Sequence, residues 1–447
     1  MTALGQILTS AEYCFSAVCV RQIANAKETC TKIRARIGRR TLIFSDVISV
    51  TTADEGQANR AMLFVRLRCI MTSMTIDVKK RICFSLAVTM TAFIVGCEAQ
   101  DTDNRISPSE LVEQISQNFE SRLYQLPPRV QGHYGLRLYR MTGDQRYFNA
   151  VLYDYYVAVD RINAILARSD DRGYIAKQAE KLTSELSKGP RGRARQVSLR
   201  KYPEFFFYGE TLRYAARLNE YGIAVPAAVT NAIANYDFHA VLTDKDMIRA
   251  WAGQLANYAH WLQQLNIVDY TQDYISAFLE SYPDDRDGEL SRWQYRNKLY
   301  GLTHLIIAAS AYYQHPVSAK EFGWILKYFA DHKSRILDSA SADVIAEIAI
   351  CFLLAGQSDH ALVAEIKSRL LSQYSSEHSM ILSVSGKIDA ATGEHRNVLT
   401  LMLFKWPDQL TVGPCFRQFE DLSIHLPYSP NNWRSSNTRP SSSLCNT

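Results

Sequence analysis

Three groups of polar residues hold the side chains from which acid–base or sugar-binding chemistry is built. Trp293, Asn297, Tyr300 and His304 follow one another at intervals of four, three and four residues. That spacing places them on one stripe of a helix, displaced from the apolar set Leu299, Leu302, Ile306 and Ala309. In a cleft, Trp293 and Tyr300 would stack on a sugar face, Asn297 and His304 would bond hydroxyls, and His304 would carry a proton. The competing reading is a histidine satisfied by packing between helices.

His133, Arg137 and Arg140 repeat the device at four and three residues, with Tyr134 alongside. Guanidinium groups grip carboxylates in a forked geometry, so this stripe would hold an anion; a solvated basic face is the alternative. The third group is Glu394, His395, Arg396 and Asn397, directly before the apolar run Val398 to Phe404. With Thr392 as a cap, it is expected in the first turn of a helix, where free N–H groups attract anions. There Glu394 or His395 would serve as acid or base, and Arg396 and Asn397 would touch ligand, unless all four merely cap the helix.

Other chemistries lack their signatures. No CxxC or Cys/His spacing for zinc occurs, and no metal or cofactor is expected. The acidic run Asp284 to Glu289 places Pro283 and Gln294 where a calcium loop needs carboxylates. Glu204 and Glu210 flank an aromatic run, but such pairs are common in helical proteins. Serine-elbow, P-loop and HExxH motifs are missing too.

Charge excludes another class. The 447-residue chain has a net charge of +5, but residues 1–73 carry ten Lys+Arg against five Asp+Glu. From Cys97 onward the count is 37 basic to 39 acidic, so a nucleic-acid partner has no electrostatic support. Aromatic residues are distributed the other way: 24 of 25 tyrosines and all six tryptophans follow Cys97. Sugar-binding clefts and large helical cores both use such residues.

The elements that must position these groups begin after an export signal. Lys79, Lys80 and Arg81 precede an apolar stretch from Ile82 to Val95, the order of a secretory signal. As a helix this stretch would reach roughly 21 Å, short of a hydrocarbon core of about 30 Å. It ends in Ile94-Val95-Gly96-Cys97, which resembles a lipobox, so Cys97 is expected to receive a diacylglyceryl group and to become the mature N-terminus. Acyl chains would tie the protein to a membrane. Glu98 after the cysteine, in place of the aspartate that usually retains a lipoprotein in the inner membrane, favours an outer-membrane anchor facing the periplasm. A signal this far inside a chain suggests that translation starts at Met74, residues 1–73 being a mis-assigned or disordered extension.

After a tether over 97–106, Ser107-Pro108-Ser109-Glu110 starts a helix with a capping serine, proline at the first position and glutamate three residues on. Leu111, Ile115, Phe119 and Leu123 then recur every four residues until Pro127-Pro128. Paired amphipathic helices turn at Gly143, Gly222, near Asn266, near His315 and at Gly356, spaced 79, 44, 49 and 41 residues apart. The long first interval implies a further turn between Ser187 and Arg195. Only Met380 to Val384 reads as extended, and an irregular polar tail is expected over 415–447. The expected fold is therefore all-α over 107–414, repeated helical hairpins closed into an α/α toroid; the alternative is an open solenoid.

GLRLYRMTGDQRYFNAV, from Gly135, resembles the helix-turn-helix segments of α/α-toroid carbohydrate-active enzymes. LPPRVQGHYGLRLYR from Leu126, NKLYGLTHLIIAAS from Asn297 and GEHRNVLTLMLFKWP from Gly393 resemble a family of gammaproteobacterial proteins classed as domain of unknown function 3541. That resemblance implies an envelope location and no residue roles. The functional expectation is a lipoprotein that binds, or both binds and cleaves, a carbohydrate or cell-wall glycan. The alternative is a non-catalytic helical repeat that docks another envelope protein.

Overall fold

The computed structural model describes residues 106–168 and 170–416. The upstream extension, the export signal, Cys97, nearly all of the tether and most of the tail lie outside them. The described chain is all-α, apart from a two-stranded antiparallel ribbon of β1 (Tyr374–Ser375) and β2 (Met380–Ile381).

The first helix, α1 (Pro108–Glu120), starts on a capping box: Ser107 Oγ accepts from Glu110 N, and Glu110 accepts from Ser107 N. Leu111, Ile115 and Phe119 form its buried face. There follow α2 (Pro128–Thr142), α3 (Phe148–Leu166), α4 (Arg172–Ser184), α5 (Pro190–Ser198) and α6 (Phe205–Glu220). Next come α7 (Ala227–Ala234), α8 (Phe238–Thr243), α9 (Lys245–Gln264), α10 (Thr271–Ser281) and α11 (Arg292–Ala309). The last are α12 (Gly323–Asp331), α13 (Lys333–Ser339), α14 (Ala342–Leu354), α15 (Ala361–Ser372) and α16 (Ala390–Phe404). The turns are where the sequence puts them, with Gly143, Gly222, Asn266 and Gly356 all left-handed, and α4 and α5 are separate helices joined near Ser187.

Seven longer helices make a continuous run of contacts. α2 packs on α3, α3 on α6, α6 on α9, α9 on α11, α11 on α14 and α14 on α16, and α16 returns to α2. The shorter helices α4, α7, α10 and α15 lie against members of this series. No helix among the described residues is long and apolar enough to cross a membrane.

The most extensive helix contact, α9 on α11, depends on glycine. A Cβ at Gly301 would lie 2.4 Å from the Phe278 ring and 2.9 Å from Ala252 Cβ. Between them α9 is kinked at Trp251 (φ −136°, ψ 22°), which takes carbonyls out of the helical ladder. Side chains replace the lost donors. Asn297 Nδ2 donates to the Ile248 and Arg249 carbonyls at 3.0 Å, Tyr282 to Arg249, Arg195 to Ala250, and Tyr274 to Ala252. Asn297 is thus committed to the backbone. Asn297→Ala removes the side-chain donor from the Ile248 and Arg249 carbonyls, and is expected to lower stability by about 1–3 kcal/mol in urea denaturation. A residue serving only a ligand would leave stability unchanged.

Two buried charge clusters cross the fold. Lys298, 1% exposed, donates to Asp284 at 2.6 Å and Asp287 at 2.7 Å, which is the use the fold makes of the acidic run. Arg140, also 1% exposed, donates to Glu220 (2.7 Å) and to the carbonyls of Tyr312 and Gly413 (3.0 Å each). It joins α2, α6, the turn after α11 and the segment following α16. That last segment stays in the core beyond the expected boundary, since Phe416 is buried against Tyr155, Tyr221 and Phe148.

Candidate functional site: two buried glutamates under three histidines

Four helices bring the acid–base candidates together. His133 comes from α2, Glu394 and His395 from α16, His304 from α11, and Glu347 from α14. His133 Nδ1 lies 2.8–2.9 Å from the Glu394 carboxyl oxygens, although 261 residues separate the two in sequence. The His133 and His395 rings are 5.1 Å apart between centroids. His395 Nε2 reaches Glu347 at 3.3 Å, and His304 Nε2 approaches the same oxygen at 3.9 Å.

Burial is graded. The Glu394 and Glu347 side chains are 4% and 1% exposed, whereas those of His133, His304 and His395 are 28%, 21% and 35% exposed. Two carboxyl groups thus lie behind a layer of imidazoles that reaches solvent. The cause is local: α14 is apolar on almost every side, so Glu347 sits among Ile345, Ile348 and Ile350, partnered by Thr303 Oγ1 at 2.9 Å. Glu394 occupies the second turn of α16, not the first as expected, because Asp389 caps the helix by accepting from Thr392 N. The extra turn carries Glu394 inward from the rim.

Burial also sets protonation. It pushes the Glu394 carboxyl up to about 7, against the opposing pull of Arg137, His395 and Arg129. It holds His133 well below the usual imidazole range, aided by Arg137 and His395. Burial thus favours the uncharged form of both partners. His304 is lowered by burial too, and its Nδ1 lies 2.9 Å from Asn257 Oδ1, which can only accept. In neutral His304 that contact fixes the proton on Nδ1 and leaves Nε2 with a free lone pair, the state a general base needs. Beyond His304, the Tyr300 hydroxyl donates to Asp343; burial and the Asp343 and Glu347 charges hold Tyr300 far above the ordinary phenol range. Burial works against the Asp343 carboxylate, but His395 and the hydrogen bonds from Ser341 and Tyr300 bring it below its usual value.

Arg137 lies over the Tyr313 ring at 5.7 Å and reaches the His133 carbonyl at 3.4 Å. Tyr313 ends a run of three non-glycine residues, Ala311 to Tyr313, with φ of 51°, 57° and 72°. Such strain costs of order 1–3 kcal/mol per residue and gathers at functional sites.

Tyr134, Arg396 and Asn397 from the same sequence groups bond within the scaffold. Tyr134 is buried between Phe119 and Tyr147, its hydroxyl directed at Glu120. Arg396 donates to the Ile381, Thr392 and Lys387 carbonyls. Asn397 accepts from Ile381 N and donates to the Ile381 and Gly393 carbonyls, so both residues pin β2 to α16. Trp293 is half-buried in the first turn of α11, between Arg292 and Arg296. The sequence groups omitted Glu347, Asp343 and Asn257. A single acid inside the run VIAEIAIC was the available signal for Glu347. Among the described residues no three His, Cys, Asp or Glu side chains are arranged to hold a metal ion.

A mostly helical domain in which buried glutamates contact histidines from other helices is what the geometry defines. The chain belongs to the family described as domain of unknown function DUF3541, whose model matches residues 109–432. Comparison with curated proteins and with solved structures gives no match.

Proposed function

We propose that the chain is a cell-envelope lipoprotein whose helical hairpins close into an α/α toroid, and that the cleft inside binds and cleaves a carbohydrate or cell-wall glycan. One observation carries the reading: His133, His304 and His395, drawn from three helices distant in sequence, cover the two buried carboxyl groups of Glu347 and Glu394. Glu394, protonated up to about 7, is suited to donate a proton to a leaving oxygen. His304, neutral with Nε2 open, is suited to take one. The return of α16 to α2 supports closure, and the signal ending in Cys97 supports the lipid anchor. Cys415 takes part in a disulfide, a bond that persists in oxidising compartments such as the periplasm.

The test is a thermal-shift screen of the full-length protein against a panel of glycans, repeated with His304→Ala. A ligand at one hundred times its Kd stabilises by about 2.7 kcal/mol, a readily measured shift. The variant is expected to bind about tenfold more weakly through loss of a hydrogen bond at the site. If no glycan shifts the wild-type protein, the cleavage reading fails and docking of another envelope protein replaces it.

A further inference from the structure

Three buried or half-buried arginines have an acid of their own: Arg140 and Arg217 hold Glu220, Arg217 also approaches Asp154, and Arg213 holds Glu210. Arg137 does not. Among the described residues no carboxylate lies within 4 Å of its guanidinium, and its Nε is buried with no acceptor. The two acids beside it, Glu394 and Glu347, are already occupied by histidines. The site therefore holds a forked cation whose natural complement is missing.

The same pattern recurs past Tyr300. Arg191 lies 5.9 Å from the Tyr300 ring centre, and Arg195 stacks on Trp251 at 3.9 Å. Arg296 donates Nε to the Ser339 carbonyl at 2.8 Å and keeps a buried NH2 without an acceptor. Among the described residues none of these three has a carboxylate within 4 Å either. The chain from Cys97 onward is close to neutral, so these uncompensated cations mark local excesses of positive charge.

We propose that the cleft takes an acidic glycan: Arg137 seats a sugar carboxylate beside His133 and His304, and Arg191 and Arg296 receive a second acidic residue of the same chain. A carboxylate accepts two parallel N–H bonds from a guanidinium, which fixes the sugar ring as well as attracting it. The charge can be a uronate on the ring or the lactyl carboxylate of a muramic acid; the chemistry at Arg137 is the same. This inference rests on the glycan-binding reading above.

Isothermal titration of the full-length protein in detergent tests it with four probes: a hexuronate oligosaccharide, its carboxyl-reduced counterpart, and a muramic-acid-containing glycan with its lactyl carboxylate free or amidated. One acidic probe is expected to bind at least tenfold more tightly than its neutral form, and whichever does so identifies the source of the carboxylate. Arg137→Gln is expected to weaken the acidic probe about 10- to 100-fold and to leave the neutral form unchanged, with partial recovery in Arg137→Lys. Arg191→Gln, remote from the strained turn, should weaken the same probe by a smaller factor, and it keeps the test available if the first variant misfolds. Equal binding of acidic and neutral forms, or equal losses for both in Arg137→Gln, overturns the proposal and leaves glycan binding intact. Failure of every probe, neutral ones included, overturns the underlying reading as well.

Discussion

Arg140→Met is expected to lower the free energy of unfolding by about 3–5 kcal/mol, read from the shift of a urea-denaturation curve. Arg140 and Glu220 are 1% and 2% exposed, so neither is solvated if the other leaves. Glu220 retains Arg217 at 2.9 Å, which offsets part of the loss. The Tyr312 and Gly413 carbonyls lose their guanidinium donor in addition. Removing the acid as well, in Arg140→Met with Glu220→Met, should recover part of the deficit, because a buried charge left alone costs more than an apolar pair. A loss below about 1 kcal/mol for the single variant would mean that water reaches the pair, contrary to the packing described.

Glu394→Gln is expected to reduce turnover of a glycan that passes the binding screen by about 10²–10⁴-fold, the ordinary contribution of a positioned general acid, while affinity changes far less. The variant also has a signature independent of substrate. In the folded protein the Glu394 carboxyl keeps its proton up to about 7, against 4.5 for the free group. Between those pH values the folded state binds more protons than the unfolded state, so stability from this group is complete below 4.5 and is lost as pH rises through 7. The difference is on the order of 3 kcal/mol. His133 and His304, held below 6.5, act in the opposite sense, costing stability as pH falls through that value, and they are present in both proteins. Subtracting the two stability profiles between pH 5 and 8 should therefore leave the Glu394→Gln variant gaining on the wild type as pH rises. A flat difference would show that the carboxyl is not held protonated.

The helical architecture was legible in the sequence because its punctuation is chemical. Gly143, Gly222 and Gly356 adopt left-handed φ at helix ends, and Ser107 with Glu110 forms the expected capping box. The site was half legible. His133, Glu394, His395 and His304 stood out as polar residues against apolar runs, and the fold brings them together. Asn297 and Asn397 stood out for the same reason, yet each is turned onto backbone: one at a helix kink, the other along a strand. Periodicity reports which face a residue is on. It does not report whether that face meets a cleft or a neighbour's unpaired carbonyl. Glu347 was hidden by the opposite effect, because an apolar run masks a carboxyl whose partners lie on other helices.

The contact between α16 and α2 also orders events in time. His133 emerges early in synthesis, and its acid partner follows 261 residues later. Pairing them requires closure of nearly the whole domain, the kind of long-range step that is entropically costly and tends to come late in folding. A growing or interrupted chain therefore holds an unmatched imidazole, and the His133–Glu394 contact forms only once α16 has been made.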